Sequence, residues 1–385
     1  MTASERYVSL LCEKSFFPFW SYLSPLGKKG KELCDVLVVC GNRVLIISVK
    51  DIKISNHSDV AVQYERWYKK AISASFDQLY GAERYLSTVD EIILSDRKTI
   101  VKLPQKNKRR IYRLAIAFGG DINYPIESGC FGGGFIHVFD EESTFTVINE
   151  LDTFPDFIDY LVAKEEFAKD KIISAYKEVD FLALYLKTGL DFNLKDTPDT
   201  LILDKGLWDE YVKSNEYFKW KNDIKVSLIW DEIVKTLFEI HINSQIDSSK
   251  RSELEIATRL IALESRNNRI TLGEALQNAV ANCKVRSRII KLKTETNHAY
   301  VYLRIDSKNW GYKERELELR CLIARELSPI TPVIIGIAIG DTPNGELIFD
   351  YAYFNIPELN EEAIYRIEKA KNELGLFKNS KPNSI

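Results

Sequence analysis

The chain has 385 residues, of which 45% are hydrophobic and 28% charged, and its formal net charge is −3. These values are ordinary for a globular protein, and they exclude binding to nucleic acid or anionic membranes through overall charge, so any such binding needs a local patch. The apolar N-terminal stretch "YVSLLCEKSFFPFWSYL" is interrupted by Glu13 and Lys14, which argues against a signal peptide or a membrane span.

The cysteines indicate a reducing compartment. They stand at positions 12, 34, 40, 130, 283 and 321, without CxxC spacing and without pairing to the histidines, so a zinc site is not expected. Their apolar surroundings predict buried free thiols, and we expect a cytoplasmic protein that does not associate with membranes.

The first 170 residues follow the order helix, strand, strand, helix, strand, strand, helix. A short helix in residues 5–23 comes first, and two apolar runs joined by Gly41-Asn42 follow it. Strands "YRLAIAFGG" and "FIHVFDE" and a helix from about Pro155 to Phe167 come later. Between these pairs of strands, helical spacing predicts one long helix from Tyr64 to about Leu86, whose recurring residues are Trp67, Ala71, Ala74, Gln78, Ala82 and Tyr85.

The remaining residues have a different pattern. They are mostly helical to about residue 290, apart from the loop-like stretch "KTGLDFNLKDTPDTLILDKG". Strands and helices then alternate through "AYVYLRI", "ERELELRCLIAREL", "PVIIGIAIG", the turn "TPNG", "ELIFDYAYF" and a closing helix from Glu358. We predict an α/β protein with one domain in residues 1–170, and a second in 171–385 that combines a largely helical segment with a small α/β element.

A two-residue loop at Gly41-Asn42 fixes the register of the first two strands. Counting outward from Cys40 opposite Arg43 places Asp35 directly opposite Ser48. Side chains alternate between faces, so Lys50 shares a face with Ser48 and is a diagonal neighbour of Asp35. A structural ion pair would explain this cluster, and so would a divalent-metal site in which Asp35 holds the ion and Lys50 orients water or phosphate.

Asp35, the strand "LIISVK" and the helix that follows resemble the core of the PD-(D/E)xK nuclease superfamily, which includes restriction-endonuclease-like and NERD-like proteins. The resemblance covers about residues 5–150, and "KELCDVLVV" with "LIISVKD" looks like an uncharacterised bacterial branch. It implies a restriction-endonuclease-like mixed sheet flanked by helices, Asp35 as a ligand of Mg²⁺ or Mn²⁺, and Lys50 as a catalytic residue. The second acid of the superfamily, two residues before the Lys, is replaced by Ser48, and serine is a poor ligand for a hard cation.

The missing acid could come from elsewhere in the chain. Glu13 ranks first because many of these nucleases carry a helical acid there, Glu32 second because it is close to Asp35, and Asp51 last because it points to the opposite face. A solvated surface position explains each glutamate as well. Gln78 matches a glutamine that several such nucleases place on the helix after the Lys strand, although a surface glutamine is the alternative.

The run "KNKRR" is the densest basic segment of the chain. It contains Lys106, Lys108, Arg109 and Arg110, which could bind the phosphates of a nucleic acid, although a solvated loop before a strand is the commoner explanation.

Two functions from different classes follow. The first is a metal-dependent endonuclease that cleaves phosphodiester bonds in DNA, with defence against foreign DNA as the role that the resemblance implies. The second is a catalytically silent subunit of the same fold that binds nucleic acid, or assembles with a partner protein or with itself. Ser48 favours the second.

Overall fold

The computed structural model of the chain describes residues 2–377 except 56, 122–123, 125, 170–171, 176, 193–199, 204, 244, 246, 282–285, 293–296 and 342–346. The chain divides into two compact units, Met1–Lys221 and Asn222–Ile385. Both units combine helices with sheets, which confirms the prediction of an α/β protein.

The first unit contains a mixed six-stranded sheet with helices on both faces. Its helices are α1 (Ala3–Phe16), α2 (Val60–Tyr68), α3 (Ala74–Leu86), α4 (Glu141–Glu150), α5 (Phe154–Ala168), α6 (Glu178–Lys187), α7 (Leu207–Tyr211) and α8 (Asn215–Asp223), which ends just past the division. Its strands are β1 (Ser21–Leu23), β2 (Val36–Cys40), β3 (Arg43–Asp51), β4 (Glu91–Ile93), β5 (Ile100–Lys102), β6 (Arg110–Phe118), β7 (Gly129–Cys130), β8 (Phe135–Asp140), β9 (Ile172–Ala175) and β10 (Thr200–Leu203).

The sheet has the strand order β1-β2-β3-β6-β8-β7. Strands β1 to β3 are antiparallel neighbours, whereas β3, β6 and β8 run parallel. Cys40 pairs with Arg43 and Val36 with Ile47, which confirms the register predicted for the hairpin and puts Asp35 across from Ser48.

Both faces of the hairpin are covered, which explains why both of its strands are apolar throughout. On one face, Leu37 and Ile46 belong to a core that also contains residues of α2 and α3. On the other face, Val36 and Ile47 are buried on the side where α1 packs. Residues 35, 48 and 50 have the parity of the first face, so their side chains point towards α3.

The predicted long helix is interrupted. One π-helical turn, Lys69–Ser73, joins α2 to α3 and adds one residue to the helical spacing. The buried face beyond it therefore runs through Ser75, Leu79, Ala82 and Leu86, and the predicted core residue Ala74 is exposed.

The first unit extends past the boundary expected at residue 170, because α6 packs within it. Tyr160 of α5 donates a hydrogen bond of 2.6 Å to Glu178, and Lys164 forms an ion pair with the same carboxylate. Phe181 and Phe192 stack in one aromatic cluster, with ring centroids 4.6 Å apart. Strand β10 lies within the stretch that the sequence indicated as a loop.

The second unit is built on a four-stranded sheet in the order β11-β12-β13-β14. Its strands are β11 (Ser287–Ile290), β12 (His298–Arg304), β13 (Val333–Asp341) and β14 (Leu347–Asn355), and its helices are α9 (Leu228–Asn243), α10 (Ser248–Ala262), α11 (Arg266–Ala281), α12 (Lys313–Glu326) and α13 (Glu361–Leu374). These elements confirm the strands and helices predicted after residue 290, whereas the turn "TPNG" lies outside the described residues.

Cys12, Cys34 and Cys321 are buried free thiols as predicted, and Cys40 is also buried. Cys130 is exposed, because β7 is a two-residue edge strand at the rim of the sheet. No helix in the described ranges is long and apolar enough to cross a membrane.

Candidate functional site

Asp35 stands immediately before β2, at the end of the sheet where β3 finishes. Its backbone N–H donates to Ile47 at 3.1 Å, and its carbonyl oxygen accepts from Ser24 at 2.9 Å. The residue is 3% exposed, and its Oδ2 accepts the backbone N–H of Val49 at 2.6 Å. The carboxylate is therefore held in one orientation by the strand beside it.

The amide of Gln78 connects the three residues that the hairpin register brought together. Its Oε1 accepts hydrogen bonds from Ser48 Oγ at 2.7 Å and from Lys50 Nζ at 2.8 Å. Its Nε2 lies 3.4 Å from Asp35 Oδ1, and Lys50 Nζ lies 3.5 Å from Asp35 Oδ2. Two donors at the oxygen and one acceptor at the nitrogen fix the orientation of the amide.

The π-helical turn before α3 determines where Gln78 lies. Regular helical spacing from Trp67 would put Gln78 in the middle of the buried face, where an unpaired amide is costly. With the extra residue, Leu79 takes that central position and Gln78 moves to its edge, half-buried above Ser48 and Lys50. Gln78 therefore lies beside the strand that carries Lys50, and the π-helical turn that places it there was not evident from the sequence.

Glu32 forms a second carboxyl group at the same site. Desolvation, a hydrogen bond to Asp35, and the charges of Asp35 and Glu5 raise the pKa of Glu32 to about 7. The negative charge of Asp35 disfavours the ionised form of Glu32, because two adjacent carboxylates repel each other. A divalent cation beside the two carboxyl groups would favour the ionised form of Glu32, so the pair fits a metal site.

Helix α1 directs Glu5, rather than Glu13, towards this pair. The N-terminal turn of α1 lies beside the end of β3, where Ser4 donates a hydrogen bond to Asp51. Glu13 is two turns further along, about 12 Å from Glu5 by helical rise, and it accepts a hydrogen bond of 3.0 Å from Ser9. Asp51 lies on the α1 side of the sheet, as predicted.

Glu5 was missed by sequence reasoning, although one signal was present. It is the third residue of α1 and completes a capping box, in which the Thr2 hydroxyl accepts the backbone N–H of Glu5 and the Glu5 carboxylate accepts the Thr2 N–H at 2.8 Å. Within the described ranges, no group of three or more His, Cys, Asp and Glu side chains is arranged to hold a metal ion. Asp35 and Glu32 are two carboxyl groups that interact at this end of the sheet.

The basic run from Lys106 to Arg110 lies at the other end of the sheet. Strand β6 runs parallel to β3 with Arg110 opposite Arg43, seven residues before Lys50 and thus about 23 Å away along the strand. Arg109 contacts backbone carbonyl groups, including that of Pro104 at 2.7 Å, and Lys106 pairs with Asp90 at 3.3 Å. Arg109 thus anchors a loop, and no described contact brings the run to the carboxylates.

Other cations are closer to the site. Lys28, Lys29 and Lys31 are exposed in the loop between β1 and β2, directly before Glu32. This loop is tied down by hydrogen bonds from Gly27 to Lys31 at 2.6 Å and from Leu33 to Pro25 at 2.8 Å. These three lysines lie outside any helical or strand pattern, so the sequence did not indicate them as a binding segment.

Comparison of this chain with protein-family models, with curated proteins and with solved structures finds no match.

Proposed function

We propose that the first unit is a restriction-endonuclease-like domain that hydrolyses phosphodiester bonds in DNA with the help of Mg²⁺ or Mn²⁺. The observation that carries this proposal is the convergence of Asp35, Lys50 and Gln78 with the carboxyl group of Glu32 at one end of the sheet. A purely structural ion pair would require only Asp35 and Lys50, without Gln78 or Glu32.

Each side chain has a distinct role in this proposal. Asp35 and Glu32 hold the cation, because two adjacent carboxylates favour a doubly charged ion. The bound ion would stabilise negative charge on the phosphate and lower the pKa of a coordinated water. Lys50, whose side chain is 28% exposed, can reach solvent and orient the attacking water or a phosphate oxygen.

Gln78 and Ser48 compensate in part for the absent second acid. The Gln78 amide oxygen accepts a hydrogen bond of 2.7 Å from Ser48 Oγ, the side chain at the position of the absent acid. It also accepts a hydrogen bond from the Lys50 ammonium group, as a carboxylate would, but it carries no negative charge. Water attack on phosphorus and departure of the leaving oxygen would thus depend on two carboxylates rather than three.

A catalytically silent domain that binds nucleic acid is the second candidate function. The observation in its favour is that Gln78 and Asp35 engage Lys50 from two sides, and Ser48 brings no charge. The lysines of the β1–β2 loop could then hold the phosphate backbone without cleavage. A partner protein or a second copy of the chain could share that role.

Plasmid cleavage separates the two candidates. Supercoiled DNA is incubated with Mg²⁺ or Mn²⁺ and with the full chain, Asp35→Ala, Lys50→Ala, or the matched control Lys53→Ala, which changes an exposed lysine beyond β3. The nuclease proposal predicts cleavage by the full chain and by the control, and a loss of about 100-fold or more in the other two. Cleavage that survives both site substitutions would refute it.

Salt-dependent binding tests the second candidate. Replacing Lys28, Lys29 and Lys31 with Ala should reduce the slope of log affinity against log salt by about 2–3, since each phosphate contact contributes about 0.9. Replacing Lys106 and Lys108 with Ala is the matched control and should leave the slope unchanged. Binding with the expected slope but without cleavage would favour the silent domain.

A further inference from the structure

The second unit contains a cavity of about 300 Å³ between one face of its sheet and the helices that cover it. This volume is at the lower end of the range of about 300–1,000 Å³ for small-molecule sites, so a ligand must be compact. The buried part of the wall presents mainly carbon atoms. It comes from α11 and from the sheet, through Gly273, Leu276, Tyr302 and Ile339.

Two opposite charges stand where the cavity reaches solvent. Arg304 is the last residue of β12 and Asp341 the last residue of β13, and these strands are parallel neighbours, so both residues lie at the same edge of the sheet. Both line the cavity, and their side chains are 39% and 54% exposed. The carboxyl ends of parallel strands are a common location of ligand sites in α/β folds.

The contacts that Arg304 makes within the chain are long. Its Nη2 lies 3.9 Å from Asp341 Oδ2, and its Nη1 lies 3.5 Å from the carbonyl oxygen of Val280. A guanidinium has five N–H donors, and an exposed ion pair contributes little to stability. A ligand that pairs with both side chains would therefore displace only weak contacts.

The spacing of the two charges indicates the class of ligand. A ligand with a single charge would be attracted by one of these side chains and repelled by the other, whereas a ligand with both charges would be attracted by both. Its two charges must then be as close as the side-chain groups, which are 3.9 Å apart. In an α-amino acid the nitrogen and the carboxylate carbon are bonded to the same carbon and are about 2.5 Å apart, which meets this condition.

We propose that this cavity binds a free α-amino acid with an apolar side chain, for which leucine is a suitable probe. The ligand carboxylate pairs with Arg304 and the ammonium group with Asp341, both at the solvent-exposed side of the cavity. The apolar side chain enters the buried part between α11 and the sheet. This inference concerns the second unit alone and does not depend on the nuclease proposal.

Three analogues that each lack one group of leucine test the proposal. Isocaproate lacks the ammonium group, isoamylamine lacks the carboxylate, and glycine lacks the side chain. Titration of the full chain at neutral pH, followed by ligand-observed NMR, should show L-leucine binding about tenfold more tightly than isocaproate or isoamylamine, as expected for one charged contact. Glycine should bind about 10- to 100-fold more weakly than leucine, since it buries no apolar side chain. Failure of leucine to bind would overturn the proposal, and so would equal affinity for leucine and glycine.

Variants that remove one charge assign the two ends of the ligand. Arg304→Gln should weaken leucine and isocaproate about tenfold without weakening isoamylamine, and Asp341→Asn should weaken leucine and isoamylamine without weakening isocaproate. The probe that each variant still binds shows that the second unit remains folded. Arg315→Gln is the matched control, because this exposed arginine belongs to α12, which covers the other face of the sheet, and it should change no affinity. Unchanged leucine affinity in both charge-removing variants would overturn the proposal.

Discussion

Replacing Glu32 with Gln should remove a pH-dependent loss of stability from the first unit. The pKa of Glu32 is raised from 4.5 to about 7, so the folded state binds more protons than the unfolded state between these values. Stability therefore falls as pH rises through this window, and the full loss is reached above pH 7. The amide introduced by Glu32→Gln would keep a donor for Asp35 without ever ionising.

The magnitude follows from the two pKa values. The interval from 4.5 to about 7 corresponds to about 3.4 kcal/mol, at about 1.36 kcal/mol per pH unit, as an upper bound. Glu32 is exposed, so solvent screening reduces this value, and we expect about 1–1.5 kcal/mol. At pH 8 Glu32→Gln should be more stable than the unsubstituted chain by that amount, whereas at pH 4.5 the two should be nearly equal.

Hydrogen exchange in urea, read by mass spectrometry on peptides from residues 33–50, reports unfolding of the first unit by itself. Glu13→Gln is the matched control, because Glu13 lies on α1 about 12 Å from Glu5, and it should show no gain at pH 8. A gain for Glu32→Gln that is the same at both pH values would show that the gain does not come from the raised pKa of Glu32.

Four other substitutions test separate parts of the structure. Lys50→Met leaves the buried Asp35 carboxylate without its cation and should cost about 1–3 kcal/mol of unfolding free energy in urea, so an unchanged stability would contradict the ion pair. Gln78→Ala leaves two hydrogen-bond donors, Ser48 Oγ and Lys50 Nζ, without their acceptor and should cost about 1–3 kcal/mol of unfolding free energy in the same assay. A loss smaller than about 0.5 kcal/mol would contradict a stabilising role for these hydrogen bonds. Arg109→Ala should lower stability by about 1–2 kcal/mol, since its guanidinium contacts backbone carbonyl groups, while the salt slope of DNA binding stays constant; a changed slope would place it at the nucleic acid. Gly273→Ala should destabilise the second unit by about 1–3 kcal/mol in thermal unfolding, because a Cβ at this position of α11 would collide with the carbonyl oxygen of Val226. An unchanged unfolding temperature would contradict this close contact.

The hairpin could be predicted from the sequence because its determinants are local. A two-residue loop fixes the register, and alternation of side chains then fixes which residues face each other. Asp35, Ser48 and Lys50 were brought together by that count, and the pairing in the sheet confirms it. The count needs no information about how distant segments pack.

The remaining features of the site depend on packing between distant segments. The π-helical turn that moves Gln78 was not predicted, because small and aromatic residues from Trp67 to Tyr85 recur at regular helical spacing in the sequence. Glu32 and Glu5 converge because a loop and a helix N-terminus meet at one end of the sheet. The position of the basic run also depends on long-range pairing, because the parallel register of β3 and β6 puts Arg110 at the end of the sheet opposite Lys50.

The claim that Asp35 and Glu32 form a divalent-cation site is tested most directly by Mn²⁺ binding at pH 7.5, followed by electron paramagnetic resonance. We expect one Mn²⁺ to bind per first unit, with at least about tenfold weaker binding in Asp35→Asn and in Glu32→Gln and no change in Glu13→Gln. Equal Mn²⁺ affinity in all four proteins would contradict the claim.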